Sequence, residues 1–405
     1  MGLIIRGGVK GLYKNGQLVA FQAEDYDDPL IKFSPSAFNS AMSGYNWGGA
    51  SAKTLLDRLW SGLLGRERVQ LIIQGSSMSK GKDGALAAWP EAMISRLRAL
   101  HAPRAGQMAI CGPQNEASDP RITKSAGVDY NNGGSNGCFG AGFIRFNAVN
   151  DYIEINAQSP FDAVDLLAFT NAGNGTLQVS WDGGATWPNS LATAAAVGLT
   201  DVTTFTAPPT TRLRIKLSAG GAAYLSIANL RSVGNPTLEL LNGGSSGGRA
   251  VDWASGVYMA NAAVTKLTAV AGVKFVFALE CGINEAILAS RVTIAAFTAA
   301  LQARITTLQA VGPVFYVIPH GTKTGTDGSG PNGYVMPAGF LDGYFDAAIE
   351  TCNTMGVPVL DARDGFGSFS ELPADYFSDD VHGTYRLDGR VGAAAADFLA
   401  GLMAA

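Results

Sequence analysis

Three short apolar runs constrain the fold of this chain more than any other feature. Val69-Gln70-Leu71-Ile72-Ile73, Leu238 to Leu241 and Val314 to Ile318 have strand length, carry almost no charge, and show no strict alternation. Runs of that kind read as strands buried on both faces, as in a parallel sheet. Between them the spacing turns helical. Trp89, Met93, Leu97 and Leu100 share one helix face, as do Ile294, Phe297, Leu301, Ile305 and Leu308, with Gly312-Pro313 closing the second helix. Phe340, Tyr344, Ala348 and Cys352 mark another helix, stopped near Gly356 before Val357 to Leu360. Alternating strands and helices predict a three-layer α/β/α domain around a parallel sheet. Ligands in such sheets bind beyond the carboxyl ends of the strands.

From Cys111 to about Pro236 the helical period is lost. Short alternating runs replace it, among them Phe143-Ile144-Arg145-Phe146, Thr176-Leu177-Gln178-Val179 and Arg212 to Leu217, with Gly, Asn and Pro turns between them. A length of 405 residues exceeds one ordinary core. The expected organisation is an accessory segment (1–66), a first part of the α/β domain (67–110), an inserted all-β sandwich (111–236) and a second α/β part (237–405). The insert resembles a carbohydrate-binding module in size and pattern. The accessory segment carries a hairpin signal at Asn15-Gly16 and a helix from Ser51 to Leu64, and packing, oligomerisation or attachment to a larger particle such as a virion are its candidate roles. Ser180-Trp181-Asp182-Gly183-Gly184-Ala185-Thr186-Trp187 fits the Asp-box pattern, a hairpin whose Asp caps its own turn.

Composition narrows the partners. A formal charge of −4 with scattered Lys and Arg offers no basic stripe for nucleic acid. No apolar run approaches the roughly 20 residues of a membrane span, and the start of the chain lacks a signal-peptide pattern, so a soluble protein is expected. Only 15% of residues are charged and glycine is abundant, a surface that suits secreted or virion proteins and leaves a cytoplasmic one open. The four cysteines, Cys111, Cys138, Cys281 and Cys352, show no CxxC spacing, so no zinc site is expected; Cys281 and Cys352 read as buried free thiols.

The polar loops after the apolar runs carry the chemistry. They are Gly75-Ser76-Ser77-Met78-Ser79, then Asn242 to Gly248, then Gly282-Ile283-Asn284-Glu285. Near the end stands Asp379-Asp380-Val381-His382, in a chain with only three histidines. An acid three residues before a histidine can hold its Nδ1–H and leave Nε2 as a general base, and a serine hydroxyl needs such a base to become a nucleophile. The second glycine of a Gly-x-Ser-x-Gly elbow is absent, because Ser79 occupies its place. Taken in order, the four loops resemble the blocks of the SGNH (GDSL-type) esterase family. Gly75-Ser76-Ser77 stands for Gly-Asp-Ser, Asn242 to Gly247 for Asn-x-x-x-x-Gly, Gly282 to Glu285 for Gly-x-Asn-Asp, and Asp379 to His382 for Asp-x-x-His. The departures are Ser76 and Glu285, each where the family has Asp.

The resemblance implies an SGNH-type fold interrupted by the sandwich, and a serine esterase without metal or other cofactor. Ser77 would be the nucleophile, His382 the base and Asp379 its orienting acid. The Ser77 N–H, the Gly247 N–H and the Asn284 amide would form the oxyanion hole, with Gly244 and Gly248 as alternative donors in a loop of linker-like composition. Trp253 and His320 are candidate substrate contacts, Trp253 by stacking on sugar. The expected substrate is an acetylated polysaccharide, as for carbohydrate O-deacetylases, phage tail-associated ones included. A small-acyl esterase or lipase is the alternative within the class. Outside it stands a non-catalytic glycan-binding or virion structural protein.

Overall fold

The computed structural model describes residues 2–6, 9–14, 17–21, 45–81, 88–101, 108–111, 121–131, 142–255, 260–287, 291–320, 340–363, 374–378 and 381–404. Strands β1 (Gly2–Arg6), β2 (Val9–Lys14) and β3 (Gln17–Phe21) form an antiparallel sheet in which Lys14 pairs with Gln17, while the expected Asn15-Gly16 turn lies outside the described residues. Helix α1 (Ala50–Leu63), strand β4 (Arg68–Gln74), the short helix α2 (Ser77–Lys80) and helix α3 (Trp89–His101) follow.

An antiparallel sheet of ten strands comes next. Its strands are β5 (Met108–Cys111), β6 (Ile122–Lys124), β7 (Val128–Asn131), β8 (Phe143–Phe146), β9 (Tyr152–Thr170), β10 (Thr176–Ser180), β11 (Asn189–Ala192), β12 (Gly198–Leu199), β13 (Thr203–Ala219) and β14 (Ala223–Arg231). The long strands β9 and β13 pair with breaks in register between Thr206 and Arg212. Both halves of β9, Ile153 and Ile155 as well as Val164 and Leu166, face one apolar core with Leu213, Ile215 and Leu225. The Asp-box forms as the β10–β11 turn. Asp182 accepts the backbone N–H groups of Ala185 and Thr186 and the hydroxyls of Ser180 and Thr186, which hold its carboxyl well below the usual range.

The chain then returns to the α/β domain through β15 (Leu238–Asn242), α4 (Ala250–Ser255), α5 (Ala260–Thr268), β16 (Val273–Leu279), α6 (Ile283–Ala286), α7 (Ile294–Gln309), β17 (Val314–Ile318), α8 (Phe340–Thr354), β18 (Val359–Asp361) and α9 (Tyr385–Ala404). The parallel sheet runs β15-β4-β16-β17-β18. Its alternating side chains feed two cores. Val69, Leu71 and Ile73 meet α1, α3 and α9, while Ile72, Phe275 and Phe277 meet α5, α7 and α8. Strand order reverses between β4 and β16, the kind of switch point beyond whose carboxyl ends ligands bind in such sheets.

Two boundaries move. Leu55 and Leu59 of α1 are fully buried against the parallel sheet, and the Trp47 indole donates to the Val359 carbonyl, so residues 45–63 belong to the α/β domain and not to an accessory segment. Strand β5 pairs with β14, so the antiparallel unit begins by Met108. That unit packs tightly on the α/β domain. Phe143, Leu167, Phe169 and Ile227 share one core with Leu241, Trp253 and Leu267. Beside this core Arg68 of β4 pairs with Asp165 of β9 at 2.5 Å and with Glu239 of β15 at 2.8 Å, while Arg231 of β14 also holds Asp165.

Candidate active site

Strand β4 ends at Gln74, and the next residues turn sharply. A Cβ on Gly75 would lie 2.1 Å from Ser79 Oγ, so only glycine lets the loop close this tightly. Ser76 is extended, and its Oγ accepts the Met78 N–H at 3.2 Å to cap α2. Ser77, the first residue of α2, is half-buried, whereas Ser76 and Ser79 are fully buried. The backbone N–H groups of this loop have distinct partners. Ser76 N and Ser79 N donate to Glu280, Met78 N to Ser76 Oγ, and Lys80 N to the Ser76 carbonyl. Among the described residues the Ser77 N–H has no acceptor.

His382 arrives from the other end of the chain. A bridge between Phe377 and Gly383 fixes its strand, and the Ser378 N–H donates to the His382 carbonyl at 3.0 Å. The imidazole Nε2 stands 2.7 Å from Ser77 Oγ, across 305 positions of sequence. Asp379 and its neighbour Asp380 lie outside the described residues. So do Cys138 and the side chain of Cys111, while Cys281 and Cys352 are free and buried.

The glycine loop is locked in place and does not behave as a linker. Ser245 N–H donates to the carbonyls of Gly75 and Ser76, the Asn242 amide donates to the Ser79 carbonyl at 2.8 Å, and Lys80 Nζ donates to Ser246 Oγ at 3.4 Å. A Cβ on Gly244 would sit 2.3 Å from Lys80 N. Two of the three candidate donors are already engaged, Gly244 N–H by Asn242 Oδ1 and Gly248 N–H by the Ser245 carbonyl. Gly247 is exposed at φ +74°, and its N–H has no acceptor among the described residues.

The third loop meets the second. Gly282, at φ +111°, leads into α6, and Asn284 Nδ2 donates to the Gly248 carbonyl at 3.0 Å. Glu285 is fully buried and accepts the N–H groups of Gly282 and Ala250. Burial pushes its carboxyl up to about 7 despite those bonds.

Trp253 and His320 are both buried. Trp253 is 3% exposed and lies in the apolar core. His320 is 1% exposed, with Nε2 3.8 Å from Asp388 Oδ1, and both groups lie where a Cβ on Gly383 would fall. The structure therefore corrects the expectation of substrate contacts at these two residues. The strand end at Ile318 turns His320 inward beneath the His382 loop, and the Trp253 indole meets an apolar helix layer instead of solvent.

One buried acid of this site, Glu280, is absent from the sequence motifs. Its oxygens accept Ser76 N at 2.7 Å, Ser76 Oγ at 2.8 Å, Ser79 Oγ at 2.9 Å and Ser79 N at 3.2 Å. Burial raises its pKa, and those four donors oppose the shift. The available signal was a charged residue closing the apolar run Val273 to Leu279.

The sequence matches no protein-family model and no curated protein. The fold does have relatives among solved structures. A peptidoglycan O-acetylesterase superposes with a TM-score of 0.66 at 14% identity, over 88% of this chain and 98% of that one. The likeness therefore spans both the parallel-sheet domain and the antiparallel unit. A carbohydrate acetylesterase from Sinorhizobium meliloti (TM-score 0.31, 12% identity, 41% of this chain and 79% of that one) matches too small a part to add to this.

Proposed function

We propose that this chain is a serine esterase of the SGNH type that removes acetyl groups from a polysaccharide. The observation that carries the reading is the 2.7 Å contact between His382 Nε2 and Ser77 Oγ at the carboxyl end of β4. A serine and a histidine 305 positions apart in sequence, both set by close-packed loops, form the nucleophile–base pair of acyl transfer. In the first step Ser77 Oγ attacks the acetyl carbonyl carbon as its proton passes to His382 Nε2. The oxyanion that develops is received by the unengaged N–H groups of Ser77 and Gly247 and by the Asn284 amide. Collapse breaks the ester bond, and His382 protonates the departing sugar oxygen. Water then gives its proton to His382 and attacks the acetyl-enzyme, which releases acetate and restores Ser77. Asp379 is assigned to hold the His382 ring.

Acetylated carbohydrate is favoured as substrate because the likeness to a peptidoglycan O-acetylesterase extends over nearly the whole of that protein. On this reading the antiparallel unit is a module that presents the polysaccharide, and the enzyme works outside the cytoplasm or from a virion. The test is acetate release from p-nitrophenyl acetate and from acetylated polysaccharide, wild type beside Ser77→Ala. Loss of at least about 1,000-fold in kcat with unchanged melting temperature is expected. Activity that survives the substitution would exclude Ser77 as nucleophile.

A further inference from the structure

We propose that Glu280 is the positioning residue of the nucleophile loop, an inference that rests on the reading of Ser77 as nucleophile. Glu280 follows β16, and its own N–H donates to the Gln74 carbonyl, so the strand pairing itself delivers the carboxylate beneath the serine turn. The carboxylate takes the backbone N–H and the hydroxyl of Ser76, and the backbone N–H and the hydroxyl of Ser79. Ser76 and Ser79 bracket Ser77. Both sides of the nucleophile are therefore tied to one rigid anchor, while the Ser77 hydroxyl and N–H are left for the reaction. The absent Cβ of Gly75 makes room for this arrangement, since it would lie 2.9 Å from Glu280 Oε2. No cation among the described residues pairs with Glu280. A buried carboxylate held only by donors of one loop is costly as mere packing, and an apolar side chain would fill the space more cheaply. What it supplies is placement, and acyl transfer is sensitive to displacements of about 1 Å.

Ser76 fits this role. It stands where the resembled family carries an acid, and an acid here would set a second carboxylate against Glu280, whose Oε1 is 2.8 Å from Ser76 Oγ.

The experiment uses the full-length protein, steady-state hydrolysis of p-nitrophenyl acetate, and the rate at which a fluorophosphonate labels Ser77. Glu280→Ala is expected to lower kcat about 100-fold with KM within about threefold, and to slow labelling in parallel. Glu280→Gln keeps one acceptor oxygen for the four donors and is expected to restore kcat to within about tenfold of wild type. Ser76→Asp is expected to cost more with Glu280 present than in the Glu280→Gln background. A folded Glu280→Ala protein with kcat within twofold of wild type would overturn the inference. Should Glu280→Ala fail to fold, Ser79→Ala decides. Removal of that one hydroxyl is expected to lower kcat about threefold without changing KM, and wild-type kcat would overturn the proposal. Wild-type and Ser77→Ala controls separate the two claims. Hydrolysis that does not depend on Ser77 defeats the nucleophile reading and this inference with it, whereas Ser77-dependent hydrolysis indifferent to Glu280 defeats the inference alone.

Discussion

The two ends of strand β4 treat buried acids in opposite ways. At the amino end, Asp165 and Glu239 are buried but face Arg68 and Arg231. Burial pushes the Asp165 carboxyl up, and the two guanidiniums outweigh that and hold it below its ordinary value. At the carboxyl end, Glu280 and Glu285 are buried with hydroxyl and backbone donors only, and burial prevails, so both are raised. The first arrangement joins two sheets and works by charge pairing. The second leaves two buried acids with raised pKa values beside Ser77 and Asn284, and shifts of that kind cluster at functional sites more often than elsewhere.

The sharpest way to break the comparison is to remove the cation at the amino end. Arg68→Ala leaves Asp165 and Glu239 short of a partner and is expected to destabilise the protein by about 3–5 kcal/mol in urea unfolding. The kcat of the molecules that remain folded should be unchanged, because the ion network is at the far end of the strand. A parallel loss of kcat would mean that the two ends are coupled.

The next effect belongs to the carboxyl end. Glu285 has an ordinary value of 4.5 and a folded value of about 7. Between these the native state holds more protons than the unfolded one, so stability falls as pH rises through the window, by an amount on the order of 3 kcal/mol. Urea unfolding at pH 5 and pH 7.5 measures the slope, and Glu285→Gln should flatten it. Asp165 acts in the opposite sense. Its stabilising contribution is present above its ordinary value and is lost as pH falls through the lowered one. An unchanged slope in Glu285→Gln would remove the contrast between the two ends.

The smallest effect sets the scale. Lys53 and Asp57 form a pair on α1 with both side chains more than half exposed. Lys53→Ala should change stability by less than about 0.5 kcal/mol. A larger change would mean that charge pairs throughout this protein matter more than their burial suggests.

Much of the sheet is legible in the sequence because burial on both faces writes itself into local composition. Val69 to Ile73 and Val314 to Ile318 lie within β4 and β17, and Ile294 to Leu308 within α7. The last helix, α9, is not legible in the same way. Four of its core residues are alanine, Ala394, Ala395, Ala396 and Ala400, and small residues give little apolar contrast even when packed beside α3. Within the site, Ser77 and His382 are visible as residue types in a particular order. Glu280 carries no motif, because its meaning lies in contacts 201 and 204 positions away.

By itself the sequence determined which segments would be buried strands and which polar loops would follow them with serine, glycine, asparagine and histidine, because residue type and short-range period suffice for that. The tertiary structure alone decided the rest. It placed Gly247 and Ser77 with N–H groups that have no acceptor among the described residues, sent Trp253 and His320 inward, and set Glu280 beneath the serine turn. Those outcomes depend on how β4, β15 and β16 lie side by side, and local periodicity carries no information about neighbours that meet only through the sheet.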